Sequence, residues 1–318
     1  MELFISIIML IVGIVFVIKG ADFLVDGSSI LAKKVGVSEL VIGLTIVSMG
    51  TSAPELVVNL VAGMQGKHDV VVGNIFGSCV CNILLILGIS ALIAPIAVGK
   101  STVWKEIPMS FGAIVLTGVI ALFFGDSGSM IINRWESSIL LIFFVLFLIY
   151  VTFVSKSNSI EKIDSSEHNV FYVLGLIALG FVGLFLGGRF TVDNAVKIAE
   201  VLGVSERLIA LTIVSIGTSL PELATSAVAA FKKQSDIAVG NVVGSNIFNL
   251  LFILGVGGAF FPIHYSQAFN FDLIVMGAST IMLFLFMFVG KRNKLDRWEG
   301  SLFLTAFVAY IVYQIMRG

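Results

Sequence analysis

Long runs of apolar residues with few or no charges recur along the whole chain, and no other feature constrains its fold as strongly. A helix needs about 20 apolar residues to cross the hydrocarbon core of a bilayer. Ten runs of roughly that size alternate with short polar connections, so the sequence predicts ten transmembrane helices. They cover residues 3–31, 39–65, 70–94, 107–124, 137–155, 170–199, 207–231, 237–261, 271–290 and 299–316.

The composition excludes a water-soluble enzyme. Hydrophobic residues make up 58% of the chain and charged residues only 12%, whereas a soluble domain carries about 25% charged residues. The net charge of −1 gives no basic field that would attract nucleic acid. We therefore predict an all-α polytopic membrane protein in a lipid bilayer. We expect no enzymatic activity and no nucleic-acid partner, and the sequence implies no protein partner.

Lysine and arginine are distributed unevenly between the loops. The loops after the first, third, fifth, seventh and ninth predicted spans hold twelve of these residues, and the opposite loops hold four. Because cytoplasmic loops are enriched in Lys and Arg, the richer set is predicted to be cytoplasmic. This orientation predicts a multi-pass protein of the cell membrane with both termini extracellular.

The second half of the chain repeats the first. The segment GLTIVSMGTSAPEL at 43–56 matches ALTIVSIGTSLPEL at 210–223, and GNIFGSCVCN at 73–82 matches GNVVGSNIFN at 240–249. Both matches are displaced by the same 167 residues. A duplication of this kind is a structural unit repeated along the chain.

Each half contains five predicted spans, and an odd number makes the second half enter the membrane from the opposite side. We therefore expect two inverted five-helix repeats, residues 1–155 and 170–318, joined by a cytoplasmic linker at 156–169. Secondary transporters are commonly built from such repeats, and their substrate sites lie near the midplane where the halves meet.

Each repeated segment places a carboxylate, Glu55 or Glu222, inside an apolar span. Such a group costs about 2.5–3.5 kcal/mol at the bilayer centre on insertion scales, so it is expected to face a cavity or a ligand. Other oxygen-bearing side chains lie in the same segments: Ser48, Thr51, Ser52, Ser78 and Asn82 in the first half, and Ser215, Thr218, Ser219, Ser245 and Asn249 in the second. Carboxylate, hydroxyl and amide oxygens are the ligands that hard cations such as Ca²⁺ prefer.

Pro54 and Pro221 lie within the same two spans. Proline lacks the backbone N–H that would bind the carbonyl four residues earlier, which belongs here to Gly50 or Gly217. The sequence therefore predicts a disrupted turn beside each glutamate, with carbonyl oxygens able to face a ligand. Irregular backbone at membrane depth is tolerated where it is buried in protein or lines a cavity.

These motifs resemble the α-repeats of the sodium/calcium exchanger family, within the cation/Ca²⁺ antiporter superfamily. The resemblance covers essentially the whole chain. It is carried by GTSAPE at 50–55, GTSLPE at 217–222, GNIFGS at 73–78 and GNVVGS at 240–245. It implies exchange of Ca²⁺ against Na⁺ by alternating access, with these ions as the only ligands and no cofactor.

The resemblance also assigns roles to residues. It implies that Glu55 and Glu222 coordinate Ca²⁺ together with backbone oxygens near Thr51 and Thr218. It implies Na⁺ sites built from Ser48, Thr51, Ser78 and Ser219 on one side, and from Ser52, Ser215, Thr218 and Ser245 on the other. Asn82 and Asn249 would approach the central site. Potassium-dependent relatives carry Asp where this chain has Asn249, so transport is expected to be independent of K⁺. The long first and sixth spans resemble the pair of helices that slides in this family.

Two other functions remain open. An H⁺/Ca²⁺ antiporter would be expected to carry fewer hydroxyls and more titratable groups in its core, and the many hydroxyls here favour Na⁺. A passive Ca²⁺ channel would need a continuous pore with several binding rings. A single paired site inside an inverted repeat favours alternating access.

Overall fold

The computed structural model describes residues 2–123, 131–157, 169–203, 215–290 and 292–317. The helices of the first half are α1 (Glu2–Val35), α2 (Glu39–Thr51), α3 (Ala53–Met64), α4 (His68–Ile93), α5 (Ile107–Phe123) and α6 (Arg134–Ser157). Those of the second half are α7 (Val170–Val201), α8 (Ser215–Thr218), α9 (Leu220–Phe231), α10 (Ser235–Phe260), α11 (Asn270–Phe286) and α12 (Arg297–Arg317).

The lengths and compositions of these helices confirm an all-α polytopic membrane fold. Within the described residues, eight helices are long and apolar enough to cross a bilayer, or nine if the bent pair α2–α3 counts as one span. The predicted span 207–231 lies partly outside the described residues, and α9 has only 12 residues. The count of ten spans therefore stays a prediction, as does the linker at 156–169, most of which is also outside the described residues.

Burial identifies α4 and α10 as the centre of the bundle. In the most apolar segment of each helix, 94% of the residues of α10 and 78% of those of α4 are buried, but only 22% of those of α1. Each central helix contains a π-helical segment, Asn82–Leu87 in α4 and Phe248–Ile253 in α10. The surrounding helices expose many large apolar side chains, as lipid-facing surfaces do.

α1 and α7 pack closely against each other in opposite directions. A Cβ atom added at Gly20 would lie 2.6 Å from the backbone nitrogen of Leu184, and one added at Gly187 would lie 2.6 Å from that of Val17. Because any side chain at these glycines would collide with backbone, the two helices approach as closely as small residues permit.

Two short antiparallel ribbons join the halves at their loops. In the first, β1 (Ile96–Ala97) pairs with β4 (Lys294–Leu295). In the second, β2 (Ile131–Ile132) pairs with β3 (Ile263–His264). Each ribbon takes one strand from each half: the first joins the chain after α4 to the chain before α12, and the second joins the chain before α6 to the chain after α10.

An ion-pair cluster connects α1 to the end of α9. Lys232 Nζ lies 2.5 Å from Asp22 Oδ1 and 2.8 Å from Asp26 Oδ1. Partial burial lowers the pKa of Lys232, but its hydrogen bonds to the two carboxylates outweigh that effect and raise the pKa above its usual value. The position 167 residues earlier is the uncharged Gln65, so the repeat does not reproduce this cluster.

Candidate cation site

Both repeated segments interrupt their helices beside the glutamates. α2 ends and α3 begins on either side of Ser52, with a bend of 43°, and α8 and α9 are separated in the same way by Ser219. Pro54 and Pro221 each lie in the first turn of the helix that follows, where a missing N–H costs little. The predicted disruption beside each proline is confirmed.

The glycines just before the breaks allow α7 to lie against both of them. A Cβ atom added at Gly50 would lie 2.0 Å from the Phe181 ring, and one added at Gly217 would lie 2.4 Å from Val192 Cγ2. Phe181 and Val192 both belong to α7. The two breaks thus both lie against α7, about three turns apart along that helix.

Each glutamate is contacted by a serine of the other half. Ser52 Oγ donates a hydrogen bond to Glu222 Oε1 at 2.9 Å, and Ser219 Oγ lies 3.5 Å from Glu55 Oε1. Both glutamate side chains are 1% exposed. Each lies in the first turn of a helix, where the helix dipole stabilises a negative charge.

The threonines beside the breaks are also held by the opposite half. Thr51 Oγ1 donates to Asn241 Oδ1 at 3.0 Å, and Thr218 Oγ1 donates to Asn74 Oδ1 at 3.4 Å. Asn241 Nδ2 in turn donates to the backbone oxygen of Glu222 at 3.3 Å. Each helix break is therefore tied by side-chain hydrogen bonds to the central helix of the other half.

The site contains several buried oxygens that accept no hydrogen bond. Among the described residues no donor reaches Glu55 Oε2, Glu222 Oε2, Asn82 Oδ1, Asn249 Oδ1 or Ser245 Oγ. A buried polar atom without a partner costs about 1–3 kcal/mol, and a cation coordinated by these oxygens would remove that cost. Within the described residues no three His, Cys, Asp or Glu side chains are clustered for metal binding, so two carboxylates and neutral oxygens make up the site.

The remaining predicted residues lie around this centre. Ser78 Oγ is 3.4 Å from Ser219 Oγ. Ser48 is buried, donates to the backbone oxygen of Thr45 at 3.2 Å, and faces Gly244 of α10. Ser215 is the first residue of α8, and its side chain lies outside what the structure describes.

A cleft lies between α7 and the two helix breaks. It has a volume of about 240 Å³, and its lining includes Arg189 and Asp193 of α7 and Thr218 and Pro221 beside the second break. Thr218 lines this cleft and is half-buried, whereas Thr51 is 1% exposed. The two halves of the site therefore differ in their access to the surface.

Comparison with known proteins identifies the family. The family described as "Sodium/calcium exchanger protein" matches residues 5–153 and 172–316. The chain belongs to the sodium/calcium exchanger family. Its sequence is 31% identical to sodium/calcium exchanger MaX1 of Methanosarcina acetivorans, over 89% of this chain and 91% of the relative. It is 35% identical to the uncharacterized membrane protein MJ0091 of Methanocaldococcus jannaschii, over 88% of each chain.

The fold of this exchanger also matches a solved structure. The sodium-calcium exchanger NCX_Mj superposes with a TM-score of 0.83 at 32% sequence identity, and the match covers 98% of this chain and 99% of the other. The resemblance drawn from the repeated motifs is thereby confirmed, and so is the broad class of cation/Ca²⁺ antiporter.

Sequence reasoning missed part of the site of this exchanger. Asn74 and Asn241, which accept the threonine hydrogen bonds, lie within the repeated motifs but are not among the predicted site residues. Their signal was available, because an asparagine that recurs at the same position of both repeats inside an apolar span requires a buried partner. Asn246, which contacts Asn82, carries no such signal, since the matching position is Cys79.

Proposed function

We propose that this exchanger moves Ca²⁺ against Na⁺ at the site between the two helix breaks. The observation that supports this most strongly is the buried pair Glu55 and Glu222, each held by a serine of the other half and each with one oxygen that accepts no hydrogen bond within the described residues. Two ionised carboxylates carry a charge of −2, which one Ca²⁺ or two Na⁺ would balance. The names of MaX1 and NCX_Mj support the same pair of ions.

We assign the ligands as follows. Ca²⁺ takes carboxylate oxygens from both glutamates and backbone oxygens near Thr51 and Thr218. The Na⁺ ions and the remaining positions of the central site use Ser48, Ser52, Ser78, Asn82, Ser215, Ser219, Ser245 and Asn249. Competition between Ca²⁺ and Na⁺ follows, because both ions need the same two negative charges.

We further propose that transport proceeds by alternating access. The two halves, residues 1–155 and 170–318, would act as inverted repeats, and α1 and α7 would move as a pair over the core formed by α4 and α10. The cleft near Arg189 and Asp193 gives access from one side. On the opposite side, the contacts of Lys232 hold α1 against the end of α9.

The proposed orientation in the cell membrane places the cleft outside and Lys232 in the cytoplasm. It also places both termini outside and the 156–169 loop inside. A single cysteine introduced into that loop, in a background lacking Cys79 and Cys81, should react with a membrane-impermeant reagent only after the membrane is opened. Efficient reaction in intact cells would overturn the orientation.

Reconstituted vesicles distinguish the proposed function from its alternatives. A Na⁺ gradient at equal pH should drive Ca²⁺ uptake, and a pH gradient without Na⁺ should not. Uptake driven by the pH gradient alone would show an H⁺/Ca²⁺ antiporter. Downhill Ca²⁺ flux that needs neither gradient would show a channel.

A further inference from the structure

The two halves differ at one buried position where α4 crosses α10. GNIFGSCVCN has Cys79 at its seventh residue, and GNVVGSNIFN has Asn246 there. Both residues are at most 1% exposed. Each precedes by three residues an asparagine of the cation site, Asn82 or Asn249, so these two asparagines have different neighbours.

Hydrogen bonds of known direction determine which atom of the Asn82 side-chain amide, the oxygen or the nitrogen, faces the cation site. The backbone oxygen of Cys79 can only accept, and Asn246 Nδ2 donates to it at 3.4 Å. The Asn246 amide is thereby oriented, and its Oδ1 accepts a hydrogen bond from Asn82 Nδ2 at 2.9 Å. Since the two ends of an amide have nearly the same shape, only such a network fixes the orientation. It leaves Asn82 Oδ1 buried and without a donor among the described residues.

Asn249 has a weaker constraint. Its side chain is hydrogen-bonded to the Cys79 thiol, and sulfur is a weaker partner than the amide oxygen that Asn82 contacts. The thiol itself is directed at the backbone oxygen of Asn246, 4.0 Å away. The orientation of Asn249 is therefore held by a weaker hydrogen bond than that of Asn82.

We propose that Asn246 is a positioning residue that presents the oxygen of Asn82 to the transported cation. The site then contains one amide ligand oriented by a second amide and one, Asn249, held only by a weaker contact with a thiol. This inference rests on the proposed function, because the orientation matters only if a cation occupies the site. An amide oxygen coordinates a hard cation, whereas the amide N–H₂ group would face it with partial positive charge.

The first test is Asn246→Leu, which keeps the shape of the side chain and removes the acceptor. The apparent KM for Ca²⁺ in Na⁺-driven uptake should rise about 2- to 12-fold, the equivalent of one hydrogen bond of about 0.5–1.5 kcal/mol. The maximal rate should stay within about twofold. The matched control is Thr280→Val, which removes a buried hydroxyl that donates to the Met276 backbone oxygen of its own helix; its KM should equal that of the wild type.

The second test exchanges the two residues between the halves. Asn246→Cys alone should raise KM, and Cys79→Asn combined with Asn246→Cys should return it towards the wild-type value, because Asn249 then gains the fixed orientation. A purely structural role for Asn246 predicts no such rescue. The Cys variant also replaces Asn246→Leu if the latter is not recovered folded, since the first half already tolerates a cysteine there.

Calorimetric titration of Ca²⁺ into the purified proteins separates this inference from the proposed function. Binding that weakens in Asn246→Leu and recovers in the exchanged pair supports the positioning role, whether or not a Na⁺ gradient drives uptake. Absence of Na⁺-driven uptake by a wild-type protein that binds Ca²⁺ refutes only the proposed function. Unchanged KM and unchanged binding in folded Asn246→Leu, or failure of the exchanged pair to recover, overturns the positioning role.

Discussion

Replacing Lys232 with glutamine tests whether the ion-pair cluster closes one side of the exchanger. Lys232 holds α1 through Asp22 and Asp26, and it also donates to the backbone oxygen of Asp22 at 3.3 Å. Glutamine is the residue that the repeat places at the matching position, Gln65. Under the proposed mechanism, Lys232→Gln should weaken the state in which the cytoplasmic side is closed.

The size of the effect follows from the exposure of the charges. Hydrogen bonds to charged groups contribute about 1.5–3 kcal/mol when buried, and exposed ion pairs about 0.2–1 kcal/mol. The side chain of Lys232 is 23% exposed, and those of Asp22 and Asp26 are 35% and 49% exposed. A value of about 1–2 kcal/mol lies between these limits, and it shifts an equilibrium about 5- to 30-fold.

The assay is Ca²⁺ exchange in vesicles, with the apparent KM for Ca²⁺ measured separately at the extracellular and at the cytoplasmic face of the protein. In Lys232→Gln the apparent KM should rise on the extracellular face and fall on the cytoplasmic face, because the population of the outward-open state has decreased. The Ca²⁺ gradient reached at equilibrium should not change, since ion stoichiometry alone sets it. Lys233→Gln removes the same charge from an exposed neighbour and is the matched control.

Equal changes of KM on both faces, or the same response in Lys233→Gln, would refute the closing role. The first result would indicate a general loss of affinity, and the second a simple effect of surface charge. A folded Lys232→Gln protein with wild-type KM on both faces would show that the cluster contributes nothing to the balance between states.

Three further predictions follow from the site and the packing. Glu55→Gln and Glu222→Gln should each reduce Na⁺-driven Ca²⁺ uptake to background while the melting temperature stays near the wild-type value; near-normal uptake in either would contradict the assignment. Gly20→Ala should lower the free energy of unfolding by about 1–3 kcal/mol, because the new Cβ would lie 2.6 Å from backbone. The control Gly175→Ala, whose Cβ would have nothing within 4 Å, should leave it unchanged, and thermal unfolding of the two variants compares them. Transport should proceed equally when choline replaces K⁺ at clamped potential, because Asn249 adds no third carboxylate, and flux that requires K⁺ would refute this.

Much of the fold could be predicted from the sequence, because a bilayer allows few alternatives. A helix is the only spanning element that satisfies all its own backbone hydrogen bonds within one segment, so each long apolar run predicts a helix. The breaks at Ser52 and Ser219 could be predicted from Pro54 and Pro221, because proline lacks the backbone N–H that continues a helix. The π-helical segments at Asn82–Leu87 and Phe248–Ile253 could not be predicted, because their sequences are as apolar as those of ordinary helices.

The site was predicted in its composition but not in its pairing. Repetition identified Glu55 and Glu222 because a charge inside an apolar run is costly and two matching ones indicate one shared environment. That Ser52 pairs with Glu222 rather than with its own neighbour Glu55 depends on how two distant breaks face each other. The contact of Lys232 with Asp22 was missed because it joins residues 210 positions apart, and a lysine in a cytoplasmic loop already has a sufficient explanation in the positive-inside rule.

The positions where the halves differ carry information that the repeat itself does not. If the halves are inverted repeats, as proposed, an exchanger with two identical halves would have outward-open and inward-open states of equal energy, because exchanging the roles of the halves converts one state into the other. Every bias between the states must then come from positions that break the repeat. Replacing Gln65 of the first half by Lys232 in the second adds the proposed closing contact, and replacing Cys79 by Asn246 changes the neighbour of Asn82, a proposed ligand of the ion. The first difference should therefore change which face the empty site prefers, whereas the second should change affinity on both faces alike, and sided KM measurements on the same vesicles separate the two.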